Sequence, residues 1–280
     1  PGARTPYNKA NTLYQTLAIE NAVVRDIQQS TSVMQDLGLE SGEDYEKVES
    51  ARLLNNGEYT LNSALGYISL KTSLNQDEVL AVAYEYTYAG QVYQVGEFST
   101  DGGESLQAPN TLILKLLKST NNAPHQKGKG TWDLMMKNVY SLGTSQMSGD
   151  KFELYIQYRN DSVGTEMQYL LEGAIKGKQL LRVMELDRLD SRNNNSPDGR
   201  FDYVEGYTAL SSSGRIIFPV LEPFGSHLAE AIGDEKIAEK YVFQELYDST
   251  LVSAQEMSEK NKFVLKGKYK GSAGNEIRLN

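Results

Sequence analysis

Alternation of apolar and polar residues is sharpest over 80–88, where Leu80, Val82, Tyr84, Tyr86 and Tyr88 fall on one side and Ala81, Ala83, Glu85 and Thr87 on the other. A period of two belongs to an extended chain, whose successive side chains point to opposite faces, so the run predicts one strand. Ala89-Gly90 separates it from Val92, Tyr93 and Val95. Gly supplies the positive φ of a two-residue turn, and the pattern therefore predicts a hairpin. A second strand is predicted over 151–158, where Phe152, Leu154, Ile156 and Tyr158 alternate with Lys151, Glu153 and Gln157, one face dry and one wet. Shorter runs predict strands at 66–70, 111–117, 179–187, 214–220, 262–269 and 275–279.

Helical spacing is confined to 131–141, around Trp132, Leu134, Met135 and Val139, and to 226–247 behind an expected N-cap at Ser226. Within the latter, Gly233-Asp234 reads as a stop followed by a fresh cap, giving two short helices. Residues 10–37 fit both periods: Leu13, Leu17 and Val24 are spaced for a helix, whereas Val23-Val24 and Ser30–Val33 suit strands. The fold class expected is α+β, strand-dominated, with one or two packed antiparallel β units, sandwich-like, and a few short covering helices. The segments expected are a mixed N-terminal stretch (1–40), a first β unit (41–118), a loop (119–130), a connecting α+β segment (131–196) and a second β unit (197–280). The loop holds no apolar residue beyond Ala and Pro, too little to bury against the entropy of ordering it. A short internal echo joins the two β units. Tyr59-Thr60 is followed by Gly66 and Ile68, and Tyr207-Thr208 by Gly214 and Ile216, at the same offsets.

Composition sharpens this picture. Among 280 residues 39% are hydrophobic and 23% charged, which is the balance of a folding chain. The 18 Tyr against 7 Phe and 1 Trp favour sheet, because a tyrosine ring packs on a half-buried strand face while its hydroxyl stays wet. Absence of Cys excludes disulfides, thiolate metal sites and cysteine nucleophiles. A net charge of −9 argues against nucleic acid as a partner, since phosphate binding draws on clustered Lys and Arg. No apolar run is long enough for a membrane-spanning helix, and no signal-peptide pattern opens the chain. Pro1-Gly2 at the start, without Met, and the strand-like Glu276–Asn280 at the end suggest a piece of a longer polypeptide.

Candidate chemistry is sparse. His125 lies in the polar loop beside Lys127 and Lys129 and reads as a solvated side chain, and His227 reads as a first-turn helix residue. No nucleophile elbow, metalloprotease motif, phosphate loop or dinucleotide fingerprint occurs. The acidic pairs Glu43/Asp44, Asp77/Glu78 and Asp234/Glu235 read as surface charge unless two carboxyls face each other across a cleft. Asn194, Ser196, Asp198, Gly199, Asp202 and Glu205 fall at the spacings of a calcium loop, with Asp187 and Asp190 just upstream. Pro197 and the Asn in first place depart from that template, and a Pro-Asp-Gly turn between strands is the competing reading. Trp132, Met135, Met136 and Tyr140 suit either a partner-binding anchor or the core side of a short helix. No residue is assigned a catalytic, cofactor or metal role on these grounds.

Several long runs resemble the SprA/Sov family, the very large outer-membrane translocon subunits of type IX secretion and gliding motility. They include Asp44–Glu49, Leu65–Leu70, Asp77–Tyr86, Gly90–Phe98, Trp132–Leu142, Leu186–Asp190, Pro197–Tyr207 and Gly214–Gly225. The resemblance runs from about residue 40 to the end. It implies a giant barrel through which folded cargo leaves the periplasm, of which this chain would be one non-spanning insertion, because its strands are too short and too interrupted for barrel wall. It implies no catalytic residue and no cofactor. The partners implied are the rest of the translocon, accessory outer-membrane proteins and secreted cargo. The location implied is the outer membrane or cell surface, the extracellular side being preferred over the periplasmic. An adhesin-like binding module and a carboxylate-dependent hydrolase are the alternatives carried forward.

Overall fold

The computed structural model describes residues 5–100, 111–121, 130–161, 164–270 and 276–279. His125 and most of the expected 119–130 loop lie outside the described residues. The chain forms two compact units, residues 1–61 with 67–135, and residues 62–66 with 136–280. Both are α+β, built from short strands in small antiparallel sheets with short helices, and no barrel closes among the described residues.

In the first unit, α1 (Leu13–Gln15) runs into a π turn at Thr16–Glu20, a 3-10 turn at Ala22–Arg25 and α2 (Ser30–Asp36). The ambiguous 10–37 stretch is thus helical. Leu17 and Val24, seven residues apart and therefore on one side of a helical path, are both buried. Then come β1 (Tyr59–Asn62), β2 (Tyr67–Leu70), β3 (Leu80–Val82), β4 (Tyr84–Tyr88), β5 (Gln91–Val95) and β6 (Lys115–Lys118). The hairpin expected at Ala89-Gly90 forms: β4 pairs β5 from Tyr84↔Val95 to Tyr88↔Gln91. Both turn residues take left-handed φ, +52° and +77°, the turn whose twist matches that of the strands.

The single strand expected over 80–88 is corrected to two. It breaks at Ala83, with β3 pairing β6 and β4 pairing β5 in separate two-stranded sheets. Gly96, at φ +74°, lies so close to the break that a Cβ there would sit 3.0 Å from the Val82 carbonyl oxygen and 3.1 Å from the Ala83 Cα. Backbone therefore occupies the place where a ladder would continue, and alternation alone does not reveal which partner each half takes.

In the second unit, β7 (Val139–Ser141), β8 (Glu153–Asn160) and β9 (Thr165–Met167) are followed by α3 (Leu180–Val183), β10 (Ala209–Leu210) and β11 (Arg215–Ile217). Four short helices come next, α4 (Ser226–Ile232), α5 (Glu235–Tyr241), α6 (Glu245–Asp248) and α7 (Leu251–Glu256), and then β12 (Phe263–Lys270) and β13 (Glu276–Leu279). One antiparallel sheet has the order β10-β11-β7 and the other β13-β12-β8-β9. β8 and β12 pair from Phe263↔Tyr158 to Lys268↔Glu153. Their common inner face carries Leu154, Ile156, Tyr158 and Tyr269, all buried. Helices α3 to α6 cover this core with Leu180, Leu181, Leu228, Ile232, Tyr241 and Tyr247. Each such side chain contributes roughly 1.5–3 kcal/mol when taken fully from water. Gly267 faces Leu154, and a Cβ there would fall 2.0 Å from the Glu153 carbonyl oxygen, so the two strands meet without room for any side chain.

Three further expectations are corrected. The strand expected at 179–187 is α3 with flanking turns. Leu180, Leu181, Met184 and Leu186 are all buried, and a segment buried on every side shows no clean period. The helix expected at 131–141 is a 3-10 turn at Trp132–Leu134 followed by β7. Asn138 draws that segment into the sheet, its amide donating to the Phe218 carbonyl at 2.7 Å while the Phe218 N–H donates to the Asn138 carbonyl at 2.9 Å. At α4 the cap is Gly225 and not Ser226. A Cβ at 225 would meet Gln244 at 2.5 Å and the Tyr247 ring at 2.8 Å, so only Gly fits, and the Ser226 hydroxyl donates to Glu222 instead. The stop and restart at Gly233-Asp234 is present. Gly233 is left-handed at φ +72°, and the Asp234 side chain accepts from the Ile237 N–H. Both members of the internal echo form antiparallel pairs, β1 with β2 and β10 with β11, with Gly66 and Gly214 left-handed just ahead of the second strand.

The first unit depends on a polar anchor in place of a large core. Glu97, 8% exposed, accepts from Tyr14 Oη at 2.6 Å, from Arg25 through both guanidinium nitrogens at 2.6 and 3.0 Å, and from the Ile113 N–H at 2.9 Å. Burial pushes the carboxyl up, but these donors outweigh it and hold Glu97 below its ordinary 4.5. A folded value lower than the unfolded one stabilises in full above about pH 4.5, and that stabilisation is lost as pH falls through the folded value. Glu97→Gln is expected to cost about 2–4 kcal/mol at pH 7 and to flatten the loss of stability below pH 5, both read from urea unfolding across pH.

Candidate functional site

One surface groove of the second unit is lined by more cations than carboxylates. It lies where the start of β8 meets the end of β12, and the turn at Gly199–Phe201 closes its side. Its volume is about 470 Å³. Strand alternation puts Glu153 and Tyr155 of β8, with Lys268 and Lys270 of β12, on the face opposite the core. The inner-face neighbour Phe152 forms the floor together with Phe201, their rings 5.4 Å apart. Tyr155 donates its hydroxyl to Glu153 at 2.9 Å, and Lys268 approaches the same carboxylate at 3.3 Å. The tyrosine hydrogen bond first, and the lysine after it, hold the Glu153 carboxyl below its usual range. Lys270 reaches Asp150 at 3.4 Å. Lys151 makes no hydrogen bond or ion pair among the described residues, while the Arg200 guanidinium makes no hydrogen bond there but its positive charge helps to hold the Glu153 carboxyl down. Lys151 is exposed at left-handed φ +55°, and the Arg200 backbone N–H donates to the Asp198 side chain. The groove can therefore take an anion.

A shallower groove of about 800 Å³ over Arg159, Glu166 and Lys266 differs in kind. Both of its cations converge on Glu166, so its charges are satisfied internally.

The calcium-loop carboxylates lie near one another but each faces its own backbone donors. Asp187, 2% exposed, accepts from the backbone N–H groups of Asp198 and Gly199 at 3.0–3.2 Å. Asp202 accepts from the Arg188 and Leu189 N–H groups, Asp190 from Arg192 and Asn194, and Glu205 from Ser211. Burial pushes the Asp202 carboxyl up, against the pull of the two N–H donors, and the charges of Asp187 and Asp198 add to the rise. Each carboxylate is consumed in closing a turn of its own loop. Among the described residues no group of three or more His, Asp or Glu side chains is placed to hold a metal ion. The segment bends at Pro197–Gly199, with Gly199 at φ +83°, but among the described residues the strands expected on either side of that turn are absent: α3 precedes it and β10 begins only at Ala209.

The remaining candidates also separate. His227 Nε2 lies 2.8 Å from the Val183 carbonyl, an acceptor only, so Nε2 carries the proton and the ring ties α4 to α3. The acidic pairs serve backbone: Asp44 accepts from the Glu40 N–H, Glu78 from the Asn75 N–H, and Asp234 caps α5. Met135 and Met136 are exposed, whereas Tyr140 packs edge-on to Phe218 and Phe224 and shares a 2.7 Å hydroxyl contact with Tyr247. In the first unit, β4 and β5 present an aromatic face. Tyr86 stacks on Tyr93 at 5.3 Å, Tyr7 meets Tyr93 edge-on at 5.2 Å, and Tyr84 and Tyr88 flank them at 38% and 64% exposure.

Sequence reasoning missed the groove because its walls come from three distant segments. The local signal was the row Lys266, Lys268 and Lys270 on one side of a single strand.

Asp187→Ala strips the Asp198 and Gly199 N–H groups of their buried acceptor and is expected to lower stability by about 1–3 kcal/mol. Millimolar calcium is expected to leave the melting temperature of the unmodified chain unchanged, as differential scanning calorimetry would read directly. No family model matches the chain, and no curated protein matches it.

Proposed function

We propose that this chain is a non-catalytic structural module of a protein-export assembly of the SprA/Sov type at the outer membrane, on its extracellular side. The single observation that carries the reading is the unequal burial of the two units. In the first, Leu17, Val24 and Val95 alone are buried hydrophobics among the described residues, while Ile19, Leu53, Leu61, Tyr88 and Val92 stand more than half exposed. Exposed apolar residues occur in the second unit too, so the weight lies on the small buried set of the first, which fits a unit that completes its core against neighbours in a larger assembly. The resemblance of the long runs to the translocon family suggests the kind of assembly, and the commitment of the carboxylates to turns and ion pairs fits a scaffold. Its mechanism is steric: rigid short sheets shape or cover the conduit, and partners and cargo touch its loops.

Antibodies to the chain are expected to detect, in the outer-membrane fraction of the source cells, a polypeptide far longer than 280 residues. In-frame removal of the segment is expected to abolish cargo export and gliding. Normal export after removal, or substrate turnover by the purified chain, would overturn the proposal.

The tyrosine face of β4 and β5 favours a second reading, a cell-surface binding module, because exposed aromatic rings stack on sugar faces. A glycan array probed with the chain and with Tyr88→Ala separates the two, since only the binding module predicts a signal that the substitution removes.

A further inference from the structure

We infer that the groove between the start of β8 and the end of β12 docks a short acidic peptide segment in which carboxylate side chains alternate with apolar ones. The inference stands apart from the export reading, since it rests on the groove alone.

Charge is the first ground. The chain carries −9 overall, yet Lys151, Arg200, Lys268 and Lys270 gather around one cleft. Against these four stand two carboxylates among the described residues, Glu153 facing Lys268 and the charge of Arg200, and Asp150 facing Lys270, so cations exceed carboxylates around the cleft. The exposed Arg200 guanidinium, which makes no hydrogen bond among the described residues, offers the fork that a carboxylate accepts in a bidentate way. The second ground is the floor, where the half-buried Phe152 offers an apolar seat backed by the buried Phe201 ring. About 470 Å³ lies within the roughly 300–1,000 Å³ of pockets that enclose small ligands and short segments. Glu153, fixed by Tyr155 and Lys268 inside the cleft, repels continuous negative charge, so the fit is to acidic residues spaced by apolar ones.

A sugar acid suits the cleft less well. Phe201 is buried to 8% exposure and gives no open ring for stacking, and the Tyr155 hydroxyl is already donated to Glu153. Nucleic acid is disfavoured by the charge of the rest of the chain.

The test is fluorescence anisotropy on the full 280-residue chain with a rhodamine-labelled hexapeptide of alternating Glu and Leu. Its Gln/Leu counterpart is the control. The Glu peptide is expected to bind at least about tenfold more tightly than the Gln peptide at low salt, with the gap closing as salt rises. Lys151→Gln with Arg200→Gln is expected to remove most of that gap, and Arg200→Lys to weaken binding by a smaller factor because the fork is lost. Both positions are exposed, so near-UV circular dichroism is expected to stay as in the unmodified chain. Equal binding of the two peptides, or unchanged affinity in the folded double variant, would sink the inference. Displacement of the peptide by an oligoglucuronate at lower concentration than by unlabelled peptide would sink the peptide assignment.

Discussion

The pairing of β8 with β12 is possible only because Gly267 carries no side chain where the strand passes the Glu153 carbonyl. Close approach of the two backbones sets the register, and the register puts Leu154, Ile156 and Tyr158 on the same face as Phe263, Leu265 and Tyr269. The helices from α3 to α6 have one apolar surface to cover, and they cover that one. A slip of a single residue would turn the charged face of Glu153, Tyr155 and Lys268 inward and leave the helices nothing to pack on. The same alternation gathers cations at the mouth of the groove, so the dry face and the charged face follow from one choice of register.

The two units keep their order by different means. The second is held by contiguous apolar packing with interlocked rings, such as Tyr158 against Tyr241 at 5.1 Å and Phe224 against Phe263 at 4.7 Å. The first has few buried hydrophobics and relies on directed polar contacts: the Glu97 carboxylate with its donors, Ser119 with Thr131, and Thr120 with Glu46. Directed contacts specify position well but exclude little water, so the apolar and aromatic faces of that unit remain open.

What could be read in the sequence was local. The β4–β5 hairpin was legible because its turn residues and its alternation lie within a dozen positions, and β8 because one whole strand carries a single dry face. Gly233-Asp234 was legible as two adjacent signals with separate mechanisms. Where the outcome depended on distant partners, reading failed. Val82 and Tyr84 alternate in one pattern yet pair with different strands, because Gly96 intrudes at Ala83. Leu180 to Leu186 looked extended because tertiary burial on all sides erases the helical period. The calcium spacing matched a linear template, but the carboxylates of Asp187 and Asp202 found nearer donors in their own turns. The groove had no local signature, since residues 151–155, 199–201 and 268–270 meet only after folding.

The central ladder also governs how the chain reaches its native state. Tyr158 and Phe263 are partners in β8 and β12 with roughly a hundred residues of chain between them, a loop whose closure entropy must be met before the ladder rewards it. Helices α3 to α7 all lie inside that loop, and their hydrogen bonds are local. Helices this short are not stable alone, so they settle only as β12, the strand that comes after them in the chain, arrives and completes the surface they cover, and that closure is the slow event in maturation of the second unit.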